Sequence, residues 1–329
     1  MAQIIARRMY SMAEPILKWA GGKRQILHEI VALMPEDFRN RAFHEPFFGG
    51  GAVTFWMEPR RGTINDINPK LINFYVVVRD HVDELIEDAK KHKNEKEYFY
   101  KARAEFNEIA RKGFEIPNIR LASLLLYLNK TAFNGLYREN RKGEFNVPFG
   151  RYKNPKIVDE ERLRKASEVL KKLDIYNEDF TYILRVAKPG DLVYFDPPYH
   201  PVSETASFTS YSKEDFSKED QERLRDVCLE LHEKGVYFIL SNSYVKPVRE
   251  LYEGIEGFEI LKIYAKRPIN SKADRRGEVP EMLVTNIPEE MRLGTEMASQ
   301  LVKTVNGKRI NIQNKFEGLV AQRVLTDFL

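Results

Sequence analysis

The sequence predicts an α/β protein built around an open sheet, and three stretches carry that prediction. Leu192-Val193-Tyr194-Phe195 is a run of four apolar residues, short enough for a strand buried on both faces. It stops at Asp196-Pro197-Pro198-Tyr199, where an acid precedes two prolines that cannot extend a strand ladder. His44-Glu45-Pro46-Phe47-Phe48-Gly49-Gly50-Gly51-Ala52-Val53 sets a glycine-rich turn between a short strand and a helix. A little further on, Thr63-Ile64-Asn65-Asp66-Ile67-Asn68 reads as a second strand with an acid at its end. Open α/β sheets bind ligands at the carboxyl ends of their strands, so all three stretches mark one end of the sheet.

Bulk properties narrow the class. At 329 residues the chain suits one large domain or two smaller ones with a real core. Apolar residues are 43% and charged residues 31%, the balance of a soluble globular protein rather than a disordered one. A formal net charge of +4 is too small to identify a polyanion partner, although basic residues cluster locally. The single cysteine excludes an internal disulfide framework and fits a reducing compartment. No apolar run approaches the ~18 residues of a membrane span, and Met1 to Arg8 carries its arginines on the wrong side of its apolar run for a secretory signal. The expectation is a cytoplasmic protein with no membrane partner. No Cys/His spacing suggests a metal, no internal repeat is visible, and no nucleophile pattern accompanies the scattered histidines.

Taken in order, Pro15-Ile16-Leu17-Lys18-Trp19-Ala20-Gly21-Gly22-Lys23 precedes a helical pattern through Ile26, Leu27, Ile30, Val31 and Met34. Its glycines free the backbone to approach a ligand, and Lys23 adds a point charge suited to a carboxylate or phosphate; a plain turn is the simpler alternative. The Gly49–Gly51 turn is neither Gly-x-Gly-x-x-Gly nor a Walker loop, which argues against a dinucleotide or triphosphate. Asp66 stands where a carboxylate accepts hydrogen bonds from ribose hydroxyls, the alternative being a turn or helix cap.

Residues 79–116 are dense in Lys and Glu, with Tyr98, Phe99, Ala102, Phe106 and Ile109 at helical spacing. Leu121 to Leu128 is a buried helix running into Asn129-Lys130-Thr131-Ala132-Phe133-Asn134-Gly135-Leu136-Tyr137-Arg138. Residues 139–152 look like a hairpin tipped at Lys142-Gly143. Bases and rings alternate around it (Phe133, Tyr137, Arg138, Arg141, Lys142, Arg151, Tyr152, Lys153), and a two-stranded ribbon fits the DNA major groove. An ordinary surface hairpin with a basic tip is the alternative.

Asp159 to Leu170 is a helix, and Ile175 to Phe180 a strand end carrying Asp179 and Phe180, able to grip an adenine or to cap the next helix. His200 to Ser212 reads as a loop at the mouth of the site. Lys218 to Lys234 is an amphipathic helix holding Cys228 as a buried residue; cytosine ring-carbon methylation would need a cysteine nucleophile beside the site instead. Val236 to Leu240 is a strand ending at Ser241-Asn242. Ile260 to Lys266 and Met282 to Thr285 are the last two, flanking a basic segment, Lys266 to Arg276, suited to phosphate contact.

Asp-Pro-Pro-Tyr is also the signature of enzymes that methylate an exocyclic amine on a flat substrate. From Pro15 to about Asn286 the chain resembles the DNA adenine-N6 methyltransferase family typified by Dam. The resemblance is carried by Leu17 to Lys23, Glu45 to Gly51, Asp66 to Asn68, Phe133 to Arg138, Gly143 to Lys153 and Asp196 to Tyr199. It implies a Rossmann-like sheet that uses S-adenosylmethionine (AdoMet) and no metal. The catalytic domain would be discontinuous, 1–78 and 155–288, around an inserted helical target-recognition domain, 79–154, that carries the hairpin. A C-terminal tail, 289–329, lies outside the resemblance.

The residues implied to hold AdoMet are Trp19, Ala20, Gly21, Lys23, Pro46, Phe47, Gly49, Gly51, Asp66, Ile67, Asp179 and Phe180. Catalysis would fall to Asp196, Pro197, Pro198 and Tyr199. The chain looks like the branch that reads GATC in double-stranded DNA. There Lys18 and Arg138 would contact guanines, Leu136 and Pro148 thymine methyls, and Phe133 and Asn134 the space left by a flipped base. Arg151 and Tyr152 would support the DNA contacts. Phe133 departs from the family, where tyrosine is common, so a hydroxyl contact is lost. A companion restriction endonuclease, linked genetically rather than physically, is a further implied partner. Rival readings are cytosine-N4 or RNA-adenine methylation and a catalytically silent DNA-binding relative, the last disfavoured by the intact Asp196 and Pro197.

Overall fold

The computed structural model describes residues 13–199, 216–266 and 278–302, with two short backbone stretches at 304–305 and 308–309. His200 to Ser212 and most of Lys266 to Arg276, for which a loop and a phosphate-contacting segment are expected, lie outside the described residues.

Seven strands form the main sheet: β1 (Phe43–Glu45), β2 (Gly62–Asn65), β3 (Asp174–Tyr176), β4 (Leu192–Phe195), β5 (Tyr237–Ser243), β6 (Glu259–Lys266) and β7 (Glu278–Thr285). Their order is β3-β2-β1-β4-β5-β7-β6. The first five run parallel, and β7 enters antiparallel between β5 and β6. All four residues of β4 are buried, as their unbroken apolar run predicts for a central parallel strand covered on both faces. The chain direction across the sheet reverses between β1 and β4, and ligands of open α/β sheets bind at that crevice.

Helices are α1 (Leu27–Leu33), α2 (Ala52–Met57), α3 (Pro69–Asp80), α4 (Val82–Ala89), α5 (Lys96–Lys112), α6 (Ile119–Thr131), α7 (Glu160–Leu170), α8 (Ile183–Val186), α9 (Lys218–Glu233), α10 (Lys246–Arg249) and α11 (Gly294–Val302). Sequence-local caps start several of them. Asn68 accepts from the N–H groups of Lys70 and Leu71 ahead of α3, with Pro69 at the first helical position. Ser217 and Asp220 form a capping box at α9. One sheet face packs on α1, α2 and α11, the other on α8, α9 and α10. A third cluster joins α3 through α7 to Ile64 of β2 and Phe48 of the glycine turn. Within 289–302, part of the segment set apart by sequence as a tail, Leu293 and Ala298 are buried in the α1 cluster, and His28 Nε2 lies 2.7 Å from Ser299 Oγ.

The hairpin expected at 139–152 is present but short. Around the Glu139↔Phe145 bridge Asn140 N donates to Glu144 O at 2.9 Å and Asn146 N to Arg138 O at 3.1 Å, with the tip at 141–143, while Phe149 pairs instead with Ala132. Side chains brace its outward-facing backbone. Asn107 of α5 accepts from Phe145 N at 2.8 Å and donates to Phe145 O at 3.1 Å, while Asn140 Oδ1 accepts from the N–H groups of Lys142 and Glu144 at the tip.

Candidate active site

Asp196 follows the last residue of β4 at the switch point, and two side chains converge on it. Lys23 Nζ sits 2.8 Å from Asp196 Oδ1 and also donates to Gly21 O at 2.8 Å. Ser241 Oγ, from the neighbouring strand β5, donates to the same Oδ1 at 3.1 Å. The Lys23 ammonium lies 4.3 Å from the centre of the Tyr199 ring, whose hydroxyl donates to Glu281 of β7 at 2.9 Å. Pro197 is buried and Pro198 exposed, so the turn is fixed by packing and by proline φ together. Burial pushes the Asp196 carboxyl above its ordinary value, with Lys23 and Ser241 pulling it back. Glu45, buried at the end of β1, is pushed up to about 8, chiefly by desolvation, although its carboxyl accepts two hydrogen bonds from Thr54.

The glycine turn lies beside this group. Gly49 and Gly51 have φ of +49° and +65°; a Cβ on Gly49 would lie 2.9 Å from Trp19, and one on Gly51 2.4 Å from Phe48. Gly49 N donates to Asp66 Oδ2 at 2.9 Å and Asn68 N to Oδ1 at 2.9 Å, so the carboxylate at the end of β2 is oriented through both oxygens. Ile67 next to it is 56% exposed, an apolar face left open at a strand end. Phe47, after the buried Pro46, stacks on Phe180 with centroids 5.4 Å apart. Asp179 accepts from Thr181 N at 3.0 Å and pairs with Arg223 at 2.9 Å; burial raises its carboxyl, but these contacts outweigh that and hold it below the usual range. Asp179 thus caps a short helix, the second of its two sequence readings. A pinned carboxylate, an open apolar face and a ring wall suit the adenosine part of AdoMet.

Trp19 connects this pocket to the 133–138 segment by stacking on Tyr137, with centroids 4.7 Å apart and planes at 23°. Ala20 and Gly21 beyond it are exposed. Lys18, Phe133, Asn134, Leu136, Arg138, Pro148 and Arg151 are exposed, and Tyr152 is half-buried. Asn134 and Arg151 take left-handed backbone, φ 56° and 55°. Phe133 N donates to Pro148 O at 2.9 Å, which brings Pro148 next to Phe133, and Arg138 Nε donates to Asn146 Oδ1 at 2.8 Å. Sequence reasoning missed Ser241, Glu281, Asn129 and Asn146. For Ser241 the signal was its place at the end of a strand parallel to β4. Glu281 fell just outside the expected strand because β7 begins four residues earlier, at Glu278.

This sheet, with a carboxylate at the end of β2 and an Asp-Pro-Pro-Tyr turn at the switch point, is the Rossmann-like fold of AdoMet-dependent methyltransferases. The family model of D12 class N6 adenine-specific DNA methyltransferases matches residues 19–269, and the chain belongs to that family. It is 45% identical over 276 residues to the Type II methyltransferase M1.LlaDCHI of Lactococcus lactis subsp. cremoris, covering 83% of this chain and 95% of that one. It is 43% identical over 291 residues to the Type II methyltransferase M.MjaIII of Methanocaldococcus jannaschii, covering 83% and 99%. To the DNA adenine methylase of Escherichia coli K12 it is 36% identical over 276 residues, covering 83% and 95%. The protein is a DNA adenine-N6 methyltransferase, and membership implies AdoMet as donor. No helix among the described residues is long and apolar enough to cross a membrane.

Proposed function

We propose that the protein methylates the N6 amine of an adenine turned out of duplex DNA, with GATC as its target. The observation that carries the reading is the Asp196 turn at the switch point, one strand away from the glycine turn and two from Asp66. AdoMet supplies an electrophilic methyl group when bound. Asp66 accepts the ribose hydroxyls, Ile67, Phe47 and Phe180 border the adenine, and Trp19 to Lys23 with Pro46, Gly49 and Gly51 line the remainder.

The target amine is a poor nucleophile because its lone pair is delocalised into the ring. Lys23 and Ser241 both engage Oδ1 of Asp196, so Oδ2 accepts one amine proton and the Pro197 carbonyl the other. The nitrogen becomes pyramidal with its lone pair aimed at the methyl. Acceptors held by two prolines stabilise the developing positive charge at little reorganisation cost. Transfer of the methyl group that bound AdoMet would supply leaves S-adenosylhomocysteine and, once the surplus proton on nitrogen has passed to solvent, neutral N6-methyladenine. Unstacking a base costs a few kcal/mol; stacking on Tyr199 returns about 1–3 kcal/mol.

For target choice, Lys18 and Arg138 read guanines, Leu136 and Pro148 thymine methyls, Phe133 and Asn134 fill the gap, and Arg151 and Tyr152 support the backbone. The segment 79–154 is then the target-recognition unit. Relatives named as Type II methyltransferases support a genetically linked endonuclease. Incubation with AdoMet and GATC-containing duplex should make the DNA resistant to a nuclease that adenine methylation blocks. Modified cytosine, or tight binding without modification, overturns the reading. Asp196→Ala should abolish transfer and leave DNA binding intact.

A further inference from the structure

Asn129, in the last turn of α6, is 1% exposed, and its amide is shared between two segments distant in sequence. Its Oδ1 accepts from Lys18 N at 2.9 Å, and its Nδ2 donates to Lys18 O at 2.8 Å and to Gly135 O at 3.3 Å. A side chain here does what a neighbouring strand would do: two hydrogen bonds fix both the position and the direction of the backbone at Lys18. Lys130, the next residue, donates its ammonium to Ile16 O, so the strap is held at two points to the end of one helix.

The two segments also touch directly. Gly135 has φ +64°, and a Cβ there would fall 2.5 Å from Lys18 Cδ, so the Lys18 stem runs across the glycine. One residue beyond Lys18 and two beyond Gly135, Trp19 stacks on Tyr137. Side chains therefore alternate: Trp19 and Tyr137 face each other inward, while Lys18, Leu136 and Arg138 are exposed.

We propose that Asn129 is a positioning residue for base discrimination, holding Lys18 and the 135–138 segment at a fixed separation so that both reach base edges together. It is buried behind the surface those side chains present and acts only through them. The inference rests on the reading of Lys18 as a guanine contact. A merely structural asparagine would lower stability and leave the ratio of rates on correct and altered sites unchanged.

The test is kcat/KM on a GATC duplex against a duplex altered at the guanine that Lys18 reads, for the full-length wild type, Asn129→Ala, Lys18→Ala and the double variant. Asn129→Ala should lower that ratio about tenfold or more. The double variant should discriminate no worse than Lys18→Ala alone, because the amide has nothing left to position. Asn129→Asp keeps the acceptor for Lys18 N and loses both donors, so it carries the same comparison if the alanine variant does not fold. Wild-type discrimination in either folded variant, or additive losses in the double variant, overturns the proposal. Failure of Lys18→Ala itself to relax the ratio overturns the reading of Lys18 and the inference with it. Relaxation by Lys18→Ala but not by Asn129 substitution removes the inference alone.

Discussion

Tyr199→Phe removes one hydroxyl and keeps the ring. That hydroxyl donates to the Glu281 carboxylate at 2.9 Å, and the ring face lies 4.3 Å from the Lys23 ammonium. A hydrogen bond to a charged acceptor is worth about 1.5–3 kcal/mol; at a half-buried site about 1–2 kcal/mol of ring orientation is at stake. If the ring must be parallel to the flipped base when the methyl moves, kcat falls about 5- to 30-fold. The KM for AdoMet stays put, since nothing at Asp66 changes. Single-turnover methylation with labelled AdoMet and saturating duplex measures this directly. Glu281→Gln keeps an acceptor but loses the charge, so its drop should be smaller, and combined with Tyr199→Phe it should add little. A phenylalanine variant as fast as wild type, or fully additive losses, refutes the claim that β7 positions the ring.

Other outcomes follow from the same geometry. Glu45 is held protonated up to about 8 against an ordinary 4.5, so between those values the folded chain carries a proton that the unfolded chain has released. Stability therefore falls as pH rises through that window, by at most about 5 kcal/mol. Urea unfolding at pH 5 and 8 should show Glu45→Gln gaining on wild type at the higher pH, and parallel slopes would contradict this. Arg138→Ala should lose about 1–3 kcal/mol of discrimination at one guanine; uniform weakening on every sequence would mark a phosphate contact instead. Gly49→Ala forces a left-handed alanine, costing about 1–2 kcal/mol, and drives its Cβ into Trp19. Calorimetry should then show weaker AdoMet binding, and unchanged binding would exclude this turn from the donor site.

The catalytic end of the sheet was legible because its signals are local. An apolar run followed by Asp-Pro-Pro announces a strand end, and glycines between a strand and a helix announce a turn. The residues that hold these parts in place were not legible, because their partners lie across the sheet: Ser241 is 45 residues from Asp196, and Glu281 is 82 from Tyr199. The expected hairpin was legible at its tip, where Asn140 bonds to Glu144 and Arg138 to Asn146. Its brace was not: Asn107, 38 residues upstream, takes the outward-facing Phe145 N–H and C=O, and short-range pattern cannot report a partner delivered by another helix.

The strap from Leu17 to Lys23 shows how far this goes. Within seven residues it presents Lys18 outward beside Gly135, sets Trp19 against both the glycine turn and Tyr137, and delivers Lys23 to Asp196. Sequence alone gave these residues separate roles in DNA and donor binding, since nothing in their spacing says that they share one backbone anchor. The structure supplies that anchor at the end of α6, through Asn129 and Lys130. A shift of the strap would then disturb base reading, the donor pocket and the catalytic carboxylate together. Substitutions at the anchor should accordingly couple properties that substitutions at the exposed tips of Lys18 or Arg138 leave independent.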